Sequence, residues 1–292
     1  MSEIFGFDAF SPREIAQRIE QVGVAKARLP LRSMWMLGML AGAFIGLGAL
    51  YYTLVAADAS LGFAARQLLG GVTFSLGLLL VTVAGAELFT GNNLLVLAWA
   101  DGRISAHELL RNWVVVCLAN FVGAAALALL VFLSRHPEMN QGAIAEQTVK
   151  IAAAKTLLPP ATAFFRGMLC NVLVCMAVWM AMAGRTIVDK AVAILFPISA
   201  FVAAGFEHSI ANMYFIPLAM LIQHFGGGTA TQTVITWGGF FHNLLPVLAG
   251  NIIGGSVLVG LVYHTIYPRP SDSALAADSD RSAARCRPLH RA

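Results

Sequence analysis

The sequence predicts an all-α membrane protein with six transmembrane helices, arranged as an inverted 3+3 repeat in which helices 2 and 5 are broken. Three observations lead there: charge is scarce, the uncharged stretches number six, and two motifs recur half a chain apart. Of 292 residues, 58% are hydrophobic and 12% are charged. A soluble domain needs about a quarter of its residues charged to cover its surface, so this chain cannot present an ordinary aqueous exterior. Its apolar content excludes disorder, four cysteines are too few for a disulfide scaffold, and 27 glycines without a period of three exclude a collagen.

Residues 1–32 are predicted to form a cytoplasmic amphipathic helix. Ser11-Pro12-Arg13-Glu14 has capping-box spacing with proline at the first helical position, and Ile15, Ile19 and Val22 then share a face. Packing on the bundle explains that face more simply than membrane sensing. These residues carry charges throughout and lack the continuous apolar core of a cleaved signal peptide. Residues 33–267 form the predicted six-helix transmembrane domain, with repeats at 33–134 and 161–267. Its stretches free or nearly free of Asp, Glu, Lys and Arg are 33–57, 67–86, 112–134, 167–184, 191–206 and 243–263, each close to the roughly 20 residues that cross a hydrocarbon core. The second and fifth continue as 88–100 and 209–223 after a single acidic residue, Glu87 or Glu207, and so read as interrupted helices. The tail, 268–292, is rich in Ser, Ala, Asp and Arg and is predicted to be disordered.

With six spans both termini share a side. That side carries fourteen Lys and Arg against five on the other, which predicts cytoplasmic termini. The net charge of +4 is thereby a topology signal and calls for no nucleic acid.

The repeat has a period of about 120 to 130 residues. Gly85-Ala86-Glu87-Leu88-Phe89-Thr90-Gly91-Asn92 matches Gly205-Phe206-Glu207-His208-Ser209-Ile210-Ala211-Asn212 at Gly, Glu and Asn. Asn112, Asn120 and Gly123 share their spacings with Asn243, Asn251 and Gly254, and Gly38-Met39-Leu40 corresponds to Gly167-Met168-Leu169. Three spans per half is an odd number, so the second half enters the membrane inverted. Broken helices at corresponding positions of inverted repeats place free backbone ends near the mid-membrane, where a substrate passes.

Ionisable residues at that depth are costly and face the interior. For Glu87 and Glu207, with Asn92 and Asn212, a loop-structuring role is expected, the carboxylates accepting backbone amides at the breaks. His208 differs because its counterpart in the first half is Leu88. A residue that violates the repeat is the better functional candidate. No residues suggest a metal or other cofactor: His224, His242 and His264 lie toward span ends, leaving His208 without a second haem ligand, and no His-Glu-x-x-His run is present. Cys117, Cys170 and Cys175 fall in apolar spans and Cys286 in the tail, where burial or indifference is expected. An enzyme is therefore not expected.

At these residues the sequence resembles the formate/nitrite transporter family. The likeness runs through 84–93, 166–180, 205–213 and 243–255 and covers nearly the whole chain. It implies an aquaporin-like fold, although the two Asn-Pro-Ala boxes of true aquaporins are absent. It also implies a homopentamer in the lipid bilayer of the bacterial inner membrane, with one pore per subunit for small anions such as formate, nitrite or hydrosulfide. His208 then matches the central pore histidine and Thr90 the residue opposite it. Phe74 and Phe201 match one apolar constriction, and Leu78 with Leu88 or Phe89 the other. Lys155 and Asn171 match polar positions that bond near the histidine or guide the anion inward. Thr90-Gly91-Asn92 and Arg166 resemble the nitrite and general branches, whereas 201–216 and 252–255 resemble the formate channels. Formate is the expected substrate, with proton-coupled passage through His208. Nitrite or hydrosulfide in the same pore, and a facilitator of neutral solutes, are the alternatives.

Overall fold

The computed structural model describes residues 8–226 and 233–267. The tail expected over 268–292, with Cys286, lies outside the described residues, as do the first seven of the N-terminal segment. Among the described residues every regular element is helical.

Helix α1 (Pro12–Ala27) begins at the expected box: Glu14 N donates to Ser11 Oγ while the Glu14 carboxylate accepts from Ser11 N and Oγ. The side-chain and backbone donors of Ser11 hold the Glu14 carboxyl below its ordinary range. The box is therefore intact near neutral pH and is lost as pH falls through that lowered range. Ile15 and Ile19 pack with Leu94, Leu97 and Trp179, and Ala27 with Leu95, Ala98 and Ile104. The apolar stripe thus lies on the bundle. Val22 stays partly exposed and faces a cavity.

Helices α2 (Leu31–Ala56), α3 (Phe63–Leu80, prolonged to Gly85 by a wide turn), α5 (Ala106–Leu133) and α7 (Pro160–Ala183) follow, with the short α4 (Val96–Ala100) and α6 (Ala143–Thr156) between them. After α7 come α8 (Ile187–Ala203), α9 (Ser209–Phe225) and α10 (Trp237–Ile252), the last continuing through wide turns into α11 (Val262–Ile266). Among the described residues five helices are long and apolar enough to cross a membrane: Leu31–Ala56, Phe63–Gly85, Ala106–Leu133, Pro160–Ala183 and Trp237–Ile266. The expected fifth span is not among them because its break divides it evenly. Helices α8 and α9 have 17 residues each, about 25 Å at the α-helical rise and short of a hydrocarbon core of about 30 Å. The first break instead leaves 23 residues ahead of it in one piece.

Helix pairs α2/α5 and α7/α10 cross at glycines. A Cβ at Gly42 or Gly123 would strike the backbone of Asn120 or Met39, and one at Gly250 or Gly254 that of Phe164 or Met168. Small residues let backbones approach this closely in an apolar solvent, where van der Waals packing and interhelical hydrogen bonds hold the helices together. Both breaks open in one way. Gly85 and Gly205 take positive φ (81° and 69°), and Ala86 N and Phe206 N reach back to Val81 O and Phe201 O. Glycine permits this left-handed turn without a Cβ penalty.

Candidate functional site

The two breaks are held by matching sets of side chains. In the first, Glu87 pairs with Lys26 Nζ at 3.0 Å and accepts from Asn92 Nδ2 at 2.7 Å, while Asn92 Nδ2 also reaches Asn112 Oδ1 at 2.9 Å. In the second, Glu207 pairs with Lys155 Nζ at 2.9 Å and accepts from Asn212 Nδ2 at 2.7 Å, while Asn212 Nδ2 reaches Asn243 Oδ1 at 2.7 Å. Asn112 Nδ2 and Asn243 Nδ2 then donate to the carbonyls of their own lysines, Lys26 and Lys155. The backbone is braced alike. Asn120 Nδ2 donates to Gly38 O and Glu87 O and its Oδ1 accepts from Phe89 N; Asn251 repeats this with Gly167 O, Glu207 O and Ser209 N.

Two details depart from expectation. The carboxylates take lysine and asparagine side chains where backbone amides were anticipated. Lys155, expected to bond near the histidine or to guide an anion, is paired with Glu207, the residue before His208. Sequence reasoning missed Lys26, because it sits on α1, outside every apolar stretch. A signal was present: Lys26 stands twelve residues before Gly38 and Lys155 twelve before Gly167.

His208 is 3% exposed and occupies the junction of the breaks. Its Nδ1 accepts from Ala211 N at 3.2 Å and so caps α9. A backbone N–H can only donate, so Nδ1 carries no proton here and the neutral ring holds its proton on Nε2. That nitrogen lies 3.1 Å from Thr90 Oγ1, on the other break. Leu88, the counterpart of His208, has no side chain with which to cap. The chain after the first break starts as a tighter 3-10 turn, Gly91–Leu95, with no side-chain cap, before relaxing into α4.

Apolar rings enclose the histidine. Phe201 stacks on it at 5.8 Å between centroids, Phe74 lies edge-on at 6.4 Å, and the two phenylalanines meet at 5.6 Å. Asn171 makes no hydrogen bond to His208. Its Nδ2 lies within 3.2 Å of Thr90 O, Asn93 Oδ1 and Asn251 O, two hydrogens shared among three acceptors, and Cys175 Sγ also reaches Thr90 O, so Asn171 helps to fix the threonine that faces the histidine.

Two cavities flank this centre. One, about 410 Å³, lies on the face that carries α1 and is lined by Lys26, Leu78, Glu87, Leu88 and Asn92 among others. The other, about 210 Å³, lies on the opposite face and includes Phe74, Lys155, Arg166, Phe201, Glu207 and His208. Leu78 and Leu88 thus stand on the first side of the centre and Phe74 and Phe201 on the second. Phe89 lines neither cavity; it is packed in the core with its amide held by Asn120. Of Leu88 and Phe89, it is Leu88 that lines the cavity on the α1 side together with Leu78. The arrangement places a cavity on each side and, between them, buried apolar side chains with one titratable ring.

Comparison with known proteins agrees with this architecture. The family profile described as Formate/nitrite transporter matches residues 13–265. The chain is 40% identical to the formate channel FocA of Escherichia coli (strain K12) over 280 residues, 91% of this chain and 97% of the relative. It is 36% identical to the formate channel FocA of Haemophilus influenzae over 264 residues, 87% and 93% of the two chains. Among solved structures, a pentameric formate channel with formate bound superposes with a TM-score of 0.77 at 37% identity, covering 82% of this chain and 98% of that one. A matched profile over most of its length, relatives similar nearly end to end, and a shared fold mean that this chain belongs to the formate/nitrite transporter family.

Proposed function

We propose that this protein is a formate channel of the bacterial inner membrane, a homopentamer with one pore through each subunit and both termini in the cytoplasm. Each subunit would be an aquaporin-like inverted repeat of three plus three spans, α8 and α9 together making the fifth. The observation that carries the reading is His208, a titratable ring facing Thr90 across two helix breaks and enclosed by Phe74 and Phe201, with a cavity on either side. The relatives named as formate channels supply the substrate.

An anion crossing slits of this kind sheds its hydration, and an unpaired charge in apolar surroundings is prohibitively costly, whereas a neutral acid is not. In the proposed mechanism formate meets a protonated His208 and the Nε2 proton passes to a carboxylate oxygen, giving formic acid and the Nδ1–H imidazole; uptake of a proton from water at Nε2 restores the charged ring, and loss of the Nδ1 proton restores the capping tautomer. The acid crosses the slit and returns its proton to water beyond it. When His208 keeps its charge, the anion passes as such. Charging the ring places a proton on Nδ1, so the bond from Ala211 N must be given up first. Protonation thereby acts on the start of α9.

The test is flux into liposomes holding the purified protein, with formate and nitrite in competition and pH varied. Wild-type protein is expected to carry formate with a rate that depends on pH; absence of formate flux would overturn the reading. His208→Asn is expected to retain anion conductance and lose the pH dependence, and an unchanged pH profile removes the proton step while leaving the channel. Preference for nitrite over formate would move the substrate to nitrite.

A further inference from the structure

The cavity opposite α1 holds a cation that neither break employs. Lys155, the other cation lining it, is paired with Glu207 at 2.9 Å, so that this pair presents no net charge to an arriving ion. Arg166 lines the same cavity, and among the described residues its guanidinium has neither an ion pair nor a hydrogen bond. Its residue is exposed, yet its backbone is fixed. Arg166 O accepts from Glu207 N at 3.3 Å, and the next residue, Gly167, offers its carbonyl to Asn251 and would drive a Cβ into the Val247 backbone. A free guanidinium is thus anchored at the lip of the second break, beside the route to His208.

We propose that Arg166 is the anion-capturing and selectivity-setting residue of this mouth, taking a planar two-oxygen anion, a carboxylate or nitrite, in a bidentate pair before it reaches the Phe74 and Phe201 slit. The proposal rests on the channel reading above. Its physical basis is shape as well as charge. Guanidinium presents parallel N–H donors that match two oxygens of one anion, whereas a lysine ammonium is a point charge that treats round and planar anions alike. Because the site opens to water, the pair is weak and reversible, as a conducting pore requires. The cavity is small, about 210 Å³, and its walls include the aromatic side chains of Tyr52, Phe206 and Phe215; with Lys155 held by Glu207, the arginine is the cation left to take an anion ahead of His208.

The experiment is conductance in a planar bilayer with substrate varied on one side at a time, for wild type, Arg166→Gln and Arg166→Lys. Each variant is first checked for the same oligomer in detergent. Arg166→Gln is expected to raise the half-saturating formate concentration about two- to fivefold from one side only, a loss typical of one solvent-screened charged contact. The maximal current and the dependence on concentration from the other side are expected to stay as in wild type. Arg166→Lys is expected to keep uptake of hydrosulfide and lose the preference for formate and nitrite over it. Raising salt should shrink the difference between wild type and Arg166→Gln, since exposed charges are screened. Wild-type formate current with unaltered concentration dependence and selectivity in both variants would overturn the assignment while leaving the channel reading intact. A change equal from both sides would also overturn it, as the mark of a general structural effect. Absence of formate current in wild type would instead strike the channel reading.

Discussion

At position 208 one side chain does two jobs that different residues could separate. Nδ1 caps α9 through Ala211 N, and Nε2 faces Thr90. Asparagine is a good N-cap and alanine is not, the difference being about 1 kcal/mol. His208→Asn is therefore expected to unfold close to wild type, and His208→Ala to be less stable by at least that amount because it also leaves a hole beside Phe74 and Phe201. Both should lose pH-dependent flux. Unfolding in mixed micelles alongside liposome flux separates the two roles, and equal stability of the two variants would show that the cap contributes nothing. The histidine was legible in the sequence because it breaks the repeat. Its tautomer was not, since that depends on where the Ala211 amide points.

At the level of elements, the repeat motif located both breaks and the asparagines that brace them, because Asn112, Asn120, Asn243 and Asn251 keep their spacing along single helices. What it did not reveal were contacts made by segments of unequal connection. Lys26 reaches Glu87 from α1 and Lys155 reaches Glu207 from α6, and an apolarity scan passes over both. The interruption of the fifth span was legible at Glu207, but its even division into two helices of 17 residues was not, because hydropathy does not see the left-handed turn at Gly205. Glycines were legible as close packing but not in their particular duties. Gly255 is one: a Cβ there would meet Asn171 Nδ2, Cys175 Sγ and Asn93 Cβ. Since Asn171 and Cys175 hold Thr90 O, Gly255→Ala is expected to cost about 1–3 kcal/mol through overpacking and to lower formate flux by moving Thr90 off His208. Gly62→Ala, which meets open space, is the control. Normal flux in Gly255→Ala would show that Thr90 tolerates the displacement.

Across the whole molecule, the two clusters share a design but not an environment. The Lys155 side chain is 14% exposed and that of Lys26 27%, while their glutamates are equally buried at 5% and 6%. Removing one partner of a buried ion pair strands the other, at a cost of about 3–5 kcal/mol, less where water can reach it. Lys155→Met is thus expected to destabilise the protein by an amount near the lower part of that range, and Lys26→Met by less. Adding Glu207→Gln to the first, or Glu87→Gln to the second, should recover much of each loss, since a neutral amide no longer needs the cation. The hydrogen bonds of the two clusters have no partner in common. Losses from Lys26→Met and Lys155→Met should therefore add to within about 0.5 kcal/mol. Unfolding of the four single and paired variants and of the Lys26→Met, Lys155→Met double variant gives the needed cycle. A coupling clearly larger than that would mean that the breaks do not stand independently and communicate through the Thr90 to His208 contact or through Asn171, whose Nδ2 reaches both Thr90 O and Asn251 O.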